Sequence, residues 1–457
     1  MIKGKNVIYR INGFIVLIGI HLYVLKKLVF FPYPELFVYS YLTKQGLIPY
    51  KQIFDQHFPG IMFFPINMIS LGIDTPQEAR LLQLGVVAVT HILIFSISKK
   101  IFKTNFYSLI PNLLYLVWQP FFEGYVLWID SFIAMFLLLA CYFLLRKKNA
   151  NDILYSGIFL GIALLFKQVV VLLLILIAIF LFVKKKSALI KFLLGLSVPL
   201  ILLVLWVTKL GIWRDFIYWT FTFNVTTFAQ MGRKYPVLYD ILKFAWVLGP
   251  AFLAVFAKLR RGFIEDHILL TIFLVGSLAF AYARADFIHI QPALPFAMIM
   301  FVLFLSLLSK KLLLAYLTIY FIGSVYLLVP FYRWASAQDN VFFFGETEVR
   351  IVKEVRKYSD EDDSVFAFGT TPHLYFLTDT LPPGRVFVFQ FPWFMKVAEG
   401  KILQGIMDDP PKVVVRDINA SVQGMNLVEN MPEISRYIDN HYVVRGKVDD
   451  TEIMVPN

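Results

Sequence analysis

The chain has 457 residues, 59% of them hydrophobic and only 16% charged, with a mean hydropathy of +0.69. Soluble domains carry about 25% charged residues, so the composition excludes a soluble globular protein and points to a multi-pass membrane protein. The net charge of +12 falls mostly in short loops, where it orients a membrane chain and meets anionic lipid rather than nucleic acid, and a single cysteine, Cys141, excludes an intramolecular disulfide and a thiolate metal cluster.

Apolar runs of about the length that crosses a bilayer are predicted at 8–25, 81–98, 105–120, 129–145, 152–167, 168–183, 189–208, 237–257, 264–283, 288–308 and 312–331. Lys3, Lys5 and Arg10 share one side with the basic loops Lys99-Lys100-Lys103, Arg146-Lys147-Lys148, Lys184-Lys185-Lys186, Lys258-Arg260-Arg261 and Lys310-Lys311. The positive-inside rule makes that side cytoplasmic. With about eleven spans, the segment after Phe331 is expected outside. After Phe331 charge returns, and β-like runs at Val365–Phe368, Val413–Val415 and Tyr442–Val448 alternate with helix-like runs near 346–358, 393–406 and 427–439. The expected fold is an α-helical multi-pass membrane module over 1–331, followed by a small extracytoplasmic α/β domain over 332–457.

The first polar stretch, FPYPELFVYSYLTKQGLIPYKQIFDQHFPG from Phe31 to Gly60, combines a helix start with two acids. Pro34 suits the first helical position, Glu35 the first turn, and Gly46 the end. Tyr33, Phe37 and Tyr41 recur every four residues, an aromatic stripe that suits a membrane–water interface. Glu35, Asp55 and His57 share this loop, which reads either as a solvated connection or as half of an active site. Further along, Glu123 and Asp130 lie two helical turns apart at the outer start of a span. They read as a loop charge and a helix cap, or as carboxylates converging with Glu35 and Asp55 on one cavity. Such a cluster offers hard oxygen ligands for a divalent cation, magnesium or manganese, with Asp55, Glu123 and Asp130 as candidate ligands, or it offers a general base. Lys167 interrupts some thirty apolar residues. It reads as a snorkelling lysine or as a cation for phosphate. Arg284 and His289, in Arg284-Ala285-Asp286-Phe287-Ile288-His289, have the same two readings.

These segments resemble a known family in order along the chain. GLIPYKQIFDQHFPG is similar to the first outer loop of family 39-like glycosyltransferases, which have the GT-C fold of protein mannosyltransferases and the lipid A aminoarabinose transferase. EGYVLWIDSFIAMFLLLA, SGIFLGIALLFKQVVVLLL and FIHIQPALPFAMI resemble their fourth span, their Gly-rich span ending in Lys-Gln, and their late Gln-x-x-Pro segment. DSVFAFGTTPHLYFLTDTLPPGRVF resembles the outer domain of bacterial and archaeal members.

The resemblance implies an inverting hexosyl or pentosyl transferase of the cell membrane. Such an enzyme moves a sugar from a polyprenyl-phosphate donor to a lipid, glycan or protein acceptor on the outer face. It implies that Glu35, in the place of the family's first acid, acts as base or orients the acceptor, with Asp55 as second acid. Glu123 and Asp130 would support them, and Lys167, Arg284 and His289 would hold the donor phosphate. Two departures, Pro34 beside the first acid and Lys51-Gln52 where an aspartate is common, leave open which of Glu35 and Asp55 is the base. The alternative is a transporter, flippase or polymerase for lipid-linked sugars. A transporter usually shows internal repeats and midplane polar residues, and no repeat is visible here.

Overall fold

The computed structural model describes residues 2–146, 148–149, 151–262, 264–337, 341–422 and 424–457; Lys147, one of the loop cations, lies outside the described residues. Helix is found in each of the eleven apolar stretches. Six helices are long and apolar enough to cross a membrane by length and composition: Pro76–Phe102, Ile129–Arg146, Lys186–Leu210, Leu238–Arg260, Glu265–Tyr282 and Lys310–Ser336. Asp152–Phe166, Val170–Lys184 and Leu294–Leu305 are shorter apolar helices. The chain divides into two compact units, Met1–Phe31 with Gln77–Leu202 and Lys234–Asp339, and Pro32–Pro76 with Leu203–Arg233 and Asn340–Asn457.

In the first unit, helices approach closely where side chains are small. A Cβ on Gly157 would run into the Phe192 carbonyl, and one on Gly195 into that of Leu154. Small residues permit this contact where no hydrophobic force drives apolar helices together. The turn between Ile129–Arg146 and Asp152–Phe166 is closed by buried Asp152. It takes Arg146 Nη2 at 2.7 Å and the Lys148 and Asn149 backbone N–H groups at 2.9 and 3.2 Å. Leu294–Leu305 is buried on nearly every side, consistent with its unbroken apolar sequence.

The second unit contains a four-stranded mixed sheet. Val365–Phe368 runs parallel to Val413–Asp417, which pairs antiparallel with Thr451–Pro456, and Tyr442–Val448 lies antiparallel at the edge. Three of these strands match the β-like runs of the sequence. The fourth, Thr451–Pro456, sits inside the sheet and was not among those runs. Helices Glu346–Val355, Pro392–Asp408 and Pro432–His441 alternate with the strands. The boundary drawn at 331/332 follows the chain, whereas packing also gathers 32–76 and 203–233 into this unit. Ile53–Phe54 pairs in parallel with Phe387–Val388. Phe54 stacks on Trp219 and Phe223 on Phe394, with centroids 4.9 and 5.0 Å apart.

Candidate active site

The opening helix, Glu35–Lys44, begins with Glu35 directly after Pro34. It ends where Gly46 takes φ 85°, with its N–H on Thr43 O and the Leu47 N–H on Leu42 O. These two bonds satisfy the last carbonyls of the helix and need a left-handed residue at Gly46. The aromatic stripe is buried inside the unit. Phe37 packs edge-on to Phe344 at 5.1 Å, and the Tyr41 hydroxyl donates to Thr380 O at 3.1 Å. Aromatic faces serve a protein core as well as an interface, so the sequence alone does not separate the two.

One turn along from Glu35, on the same helix face, the Tyr39 hydroxyl donates to Asp55 Oδ2 at 2.9 Å. The other oxygen of Asp55 accepts the His57 backbone N–H at 2.6 Å and lies 3.0 Å from His57 Nδ1. Asp55 is buried and held on both oxygens. Tyr39 had no place in the sequence reading, although its i+4 spacing from Glu35 was visible. Asn224 completes the frame, donating to Gln56 O at 2.9 Å.

Glu35 is different. It is 6% exposed, and its Oε2 is buried without a hydrogen-bond partner among the described residues. Burial pushes its carboxyl up to about 8; a backbone hydrogen bond works against the rise and the neighbouring Asp55 charge adds to it. The side chain lines a cavity of about 420 Å³ in the same unit, whose walls come from Tyr33–Glu35 and from segments of 343–451. Part of these walls, Ala367–Phe387, falls in the stretch that resembles the family's outer domain, but nothing in the sequence joined it to Glu35.

The remaining candidates lie in the first unit. Lys167 Nζ sits 2.9 Å from Asp130 Oδ2 and 3.2 Å from His289 Nδ1, and His289 Nδ1 is 3.1 Å from the same aspartate oxygen. Lys167 is buried and ion-paired, so it does not snorkel. Glu123, at φ 59°, accepts the Ile288 N–H at 2.9 Å through Oε2. Burial, and next the Asp286 charge, lift its carboxyl to about 7. Arg284 Nε pairs with Asp286, which also takes Lys234 Nζ at 2.6 Å. Two cations thus meet at this one acid. Gln291 Nε2 donates to the Gln119 and Phe122 carbonyls and so pins the turn that carries Glu123.

Asp55, Glu123 and Asp130 do not suit a divalent cation. Asp55 spends both oxygens on Tyr39 and His57, Glu123 one on the Ile288 N–H, and Asp130 both on Lys167, which neutralises it. Among the described residues, no group of three or more His, Cys, Asp or Glu side chains is arranged to hold a metal.

The chain thus combines a unit of apolar helices with a unit built on a mixed sheet that includes most of the first polar loop. Residues 57–213 match the family model described as dolichyl-phosphate-mannose-protein mannosyltransferase. The whole chain has the fold of ArnT from Cupriavidus metallidurans. Against the structure bound to undecaprenyl phosphate, 98% of each chain is covered at 12% identity and a TM-score of 0.65. Against the apo structure, 99% of this chain and 98% of that one are covered at 11% identity and a TM-score of 0.60. No curated protein matches the chain. The family-model match includes Glu123, Asp130 and Lys167 and begins after Glu35 and Asp55.

Proposed function

We propose that the chain is an inverting glycosyltransferase that moves a sugar from a polyprenyl-phosphate donor to a hydroxyl acceptor on the extracytoplasmic face of the cell membrane. The observation that carries this reading is Glu35, a buried carboxyl with one oxygen unpartnered among the described residues, whose side chain lines a cavity of sugar size. The ArnT fold supports a lipid-phosphate donor, since one of the matched structures holds undecaprenyl phosphate.

In this mechanism the acceptor hydroxyl attacks the anomeric carbon from the face opposite the phosphate. Its proton passes to Glu35, and the bond from the anomeric carbon to the phosphate oxygen breaks with its electron pair on the departing polyprenyl phosphate. The leaving group is already an anion and needs charge more than a proton. Arg284 and Lys234, which meet at Asp286, are the cations we assign to it, and Lys167 and His289 form a second cluster on Asp130. Asp55, fixed by Tyr39 and His57, positions the loop and contributes to the field that raises Glu35. Glu123 and Asp130 hold the supporting turns. Eleven spans, cytoplasmic basic loops and a segment 332–457 outside complete the proposed topology.

The test supplies membranes carrying the chain with several radiolabelled polyprenyl-phosphate sugars and follows the label. Transfer to a non-lipid-phosphate product with inverted anomeric configuration is expected. Movement of intact lipid-linked sugar across the membrane without transfer would replace this reading with a flippase.

A further inference from the structure

The cavity over Glu35 has a chemical character of its own. Among its described lining residues are three carboxylates, Glu35, Glu348 and Asp417, and no Lys, Arg or His. Glu348 accepts the Gly345 N–H at 2.8 Å and Asp417 the Asn419 N–H at 2.9 Å, so both are held in place. Only Glu35 keeps a buried oxygen without a partner. The rim is fixed as well: Gln390 accepts the Gly369 N–H and donates to Ala367 O, both at 2.7 Å. Tyr33, Phe343 and Phe389 supply apolar faces beside these acids. A buried carboxyl oxygen without a partner is costly unless a ligand provides one. Hydroxyl groups, which both donate and accept, do so, and the C–H faces of a sugar ring pack on aromatic side chains. A phosphate would meet the Glu348 and Asp417 carboxylates with no cation in the lining.

We infer that this cavity is the acceptor subsite and takes an unphosphorylated, hydroxyl-bearing pyranose, whose hydroxyl donates to Glu35. The inference rests on the transferase reading for the word acceptor, and on the cavity alone for the ligand class. A size of about 420 Å³ accommodates one or two sugar rings and lies within the range of small-molecule sites.

The full chain, purified in detergent, is mixed in turn with methyl mannoside, glucoside and galactoside and with the matching sugar 1-phosphates, and saturation-transfer NMR reads binding. At least one methyl glycoside is expected to bind, with the 1-phosphates at least tenfold weaker. Thr371→Phe, which fills the cavity, is expected to abolish the signal. Thr370→Lys, which adds a cation to the lining, is expected to admit the 1-phosphates and guards against a variant that merely misfolds. Phosphates binding the native chain as well as the glycosides, or glycoside signals untouched by Thr371→Phe, overturn the inference. Glycoside binding in a chain that transfers no sugar from any lipid donor leaves the subsite standing and removes the transferase reading.

Discussion

Glu35 and Asp130 are both carboxylates in the first turn of a helix, and both are buried, at 6% and 0% exposure. Their surroundings separate them. Asp130 meets Lys167 and His289 within 3.1 Å, so its charge is satisfied where it stands. Glu35 has no cation and one bare oxygen. Burial alone does not mark a functional acid; burial without a partner beside an open volume does. The proposed mechanism accordingly gives the proton transfer to the first acid and a structural part to the second.

The largest effect that sharpens this contrast is on turnover. Glu35→Gln keeps shape and loses basicity, and a general base contributes about 10²–10⁴-fold. Sugar transfer in membranes, normalised to folded protein, is expected to fall by that order while expression holds. Near-native transfer would move the chemistry away from the opening helix.

The same contrast predicts the opposite phenotype at the second acid. Lys167→Met removes a buried ammonium and strands Asp130. Breaking a buried pair in this way costs about 3–5 kcal/mol. The variant is expected to lose thermal stability in detergent, and Asp130→Asn to restore part of it. A stable Lys167→Met chain that binds donor lipid poorly would instead make Lys167 the phosphate cation.

The pH response of Glu35 differs in sign between activity and stability. Its carboxyl is raised from the ordinary value of 4.5 to about 8. Transfer is expected to climb with pH through about 8 as the base form fills, and Glu35→Gln to flatten that limb. The raised value also means stability that is complete below about 4.5 and is lost as pH rises through about 8. The Tm advantage of Glu35→Gln over the native chain should therefore widen across that window and then level off. A gap independent of pH would mean that Glu35 is not buried as an acid.

Much of this was legible in the chain. The apolar runs marked the helices, the residues Pro34 and Gly46 bracketed the opening helix, and three of the four sheet strands stood out by their β-branched and aromatic residues. Two kinds of feature were hidden. Thr451–Pro456 is a strand because its neighbours pair with it; its own six residues show little. The cavity over Glu35 is assembled from segments separated by some 300 residues, and nothing in either segment shows that they meet. The partners of Lys167 were also hidden, since a lone cation in an apolar run reads the same whether it snorkels or meets an aspartate 37 residues away.

A smaller effect belongs to the pair of cations at Asp286. Arg284 and Lys234 both meet this acid, so removing one of them leaves an ion pair in place and lowers the local positive charge. Arg284→Met is expected to raise the KM for the lipid donor by about three- to tenfold with kcat little changed. The arginine is partly exposed, so the field it adds is screened by salt, and the difference from the native chain should shrink as ionic strength rises. A fall in kcat alone would place Arg284 at the reacting atoms.

The smallest expected effect is that of removing divalent metal. A hard cation needs several free carboxylate or carbonyl oxygens at one place. Asp55 gives one oxygen to Tyr39 and the other to His57, Glu123 gives one to the Ile288 N–H, and Asp130 faces an ammonium. To bind a metal, Asp130 would have to leave Lys167 as an unpaired buried charge, at about the cost already assigned to breaking that pair. Transfer measured after chelation with EDTA, and again after magnesium or manganese is added back, is therefore expected to stay within about twofold of the untreated membranes. A loss on chelation that manganese reverses would show that the carboxylates regroup around a metal when the donor enters, and would reopen Asp55 as a ligand.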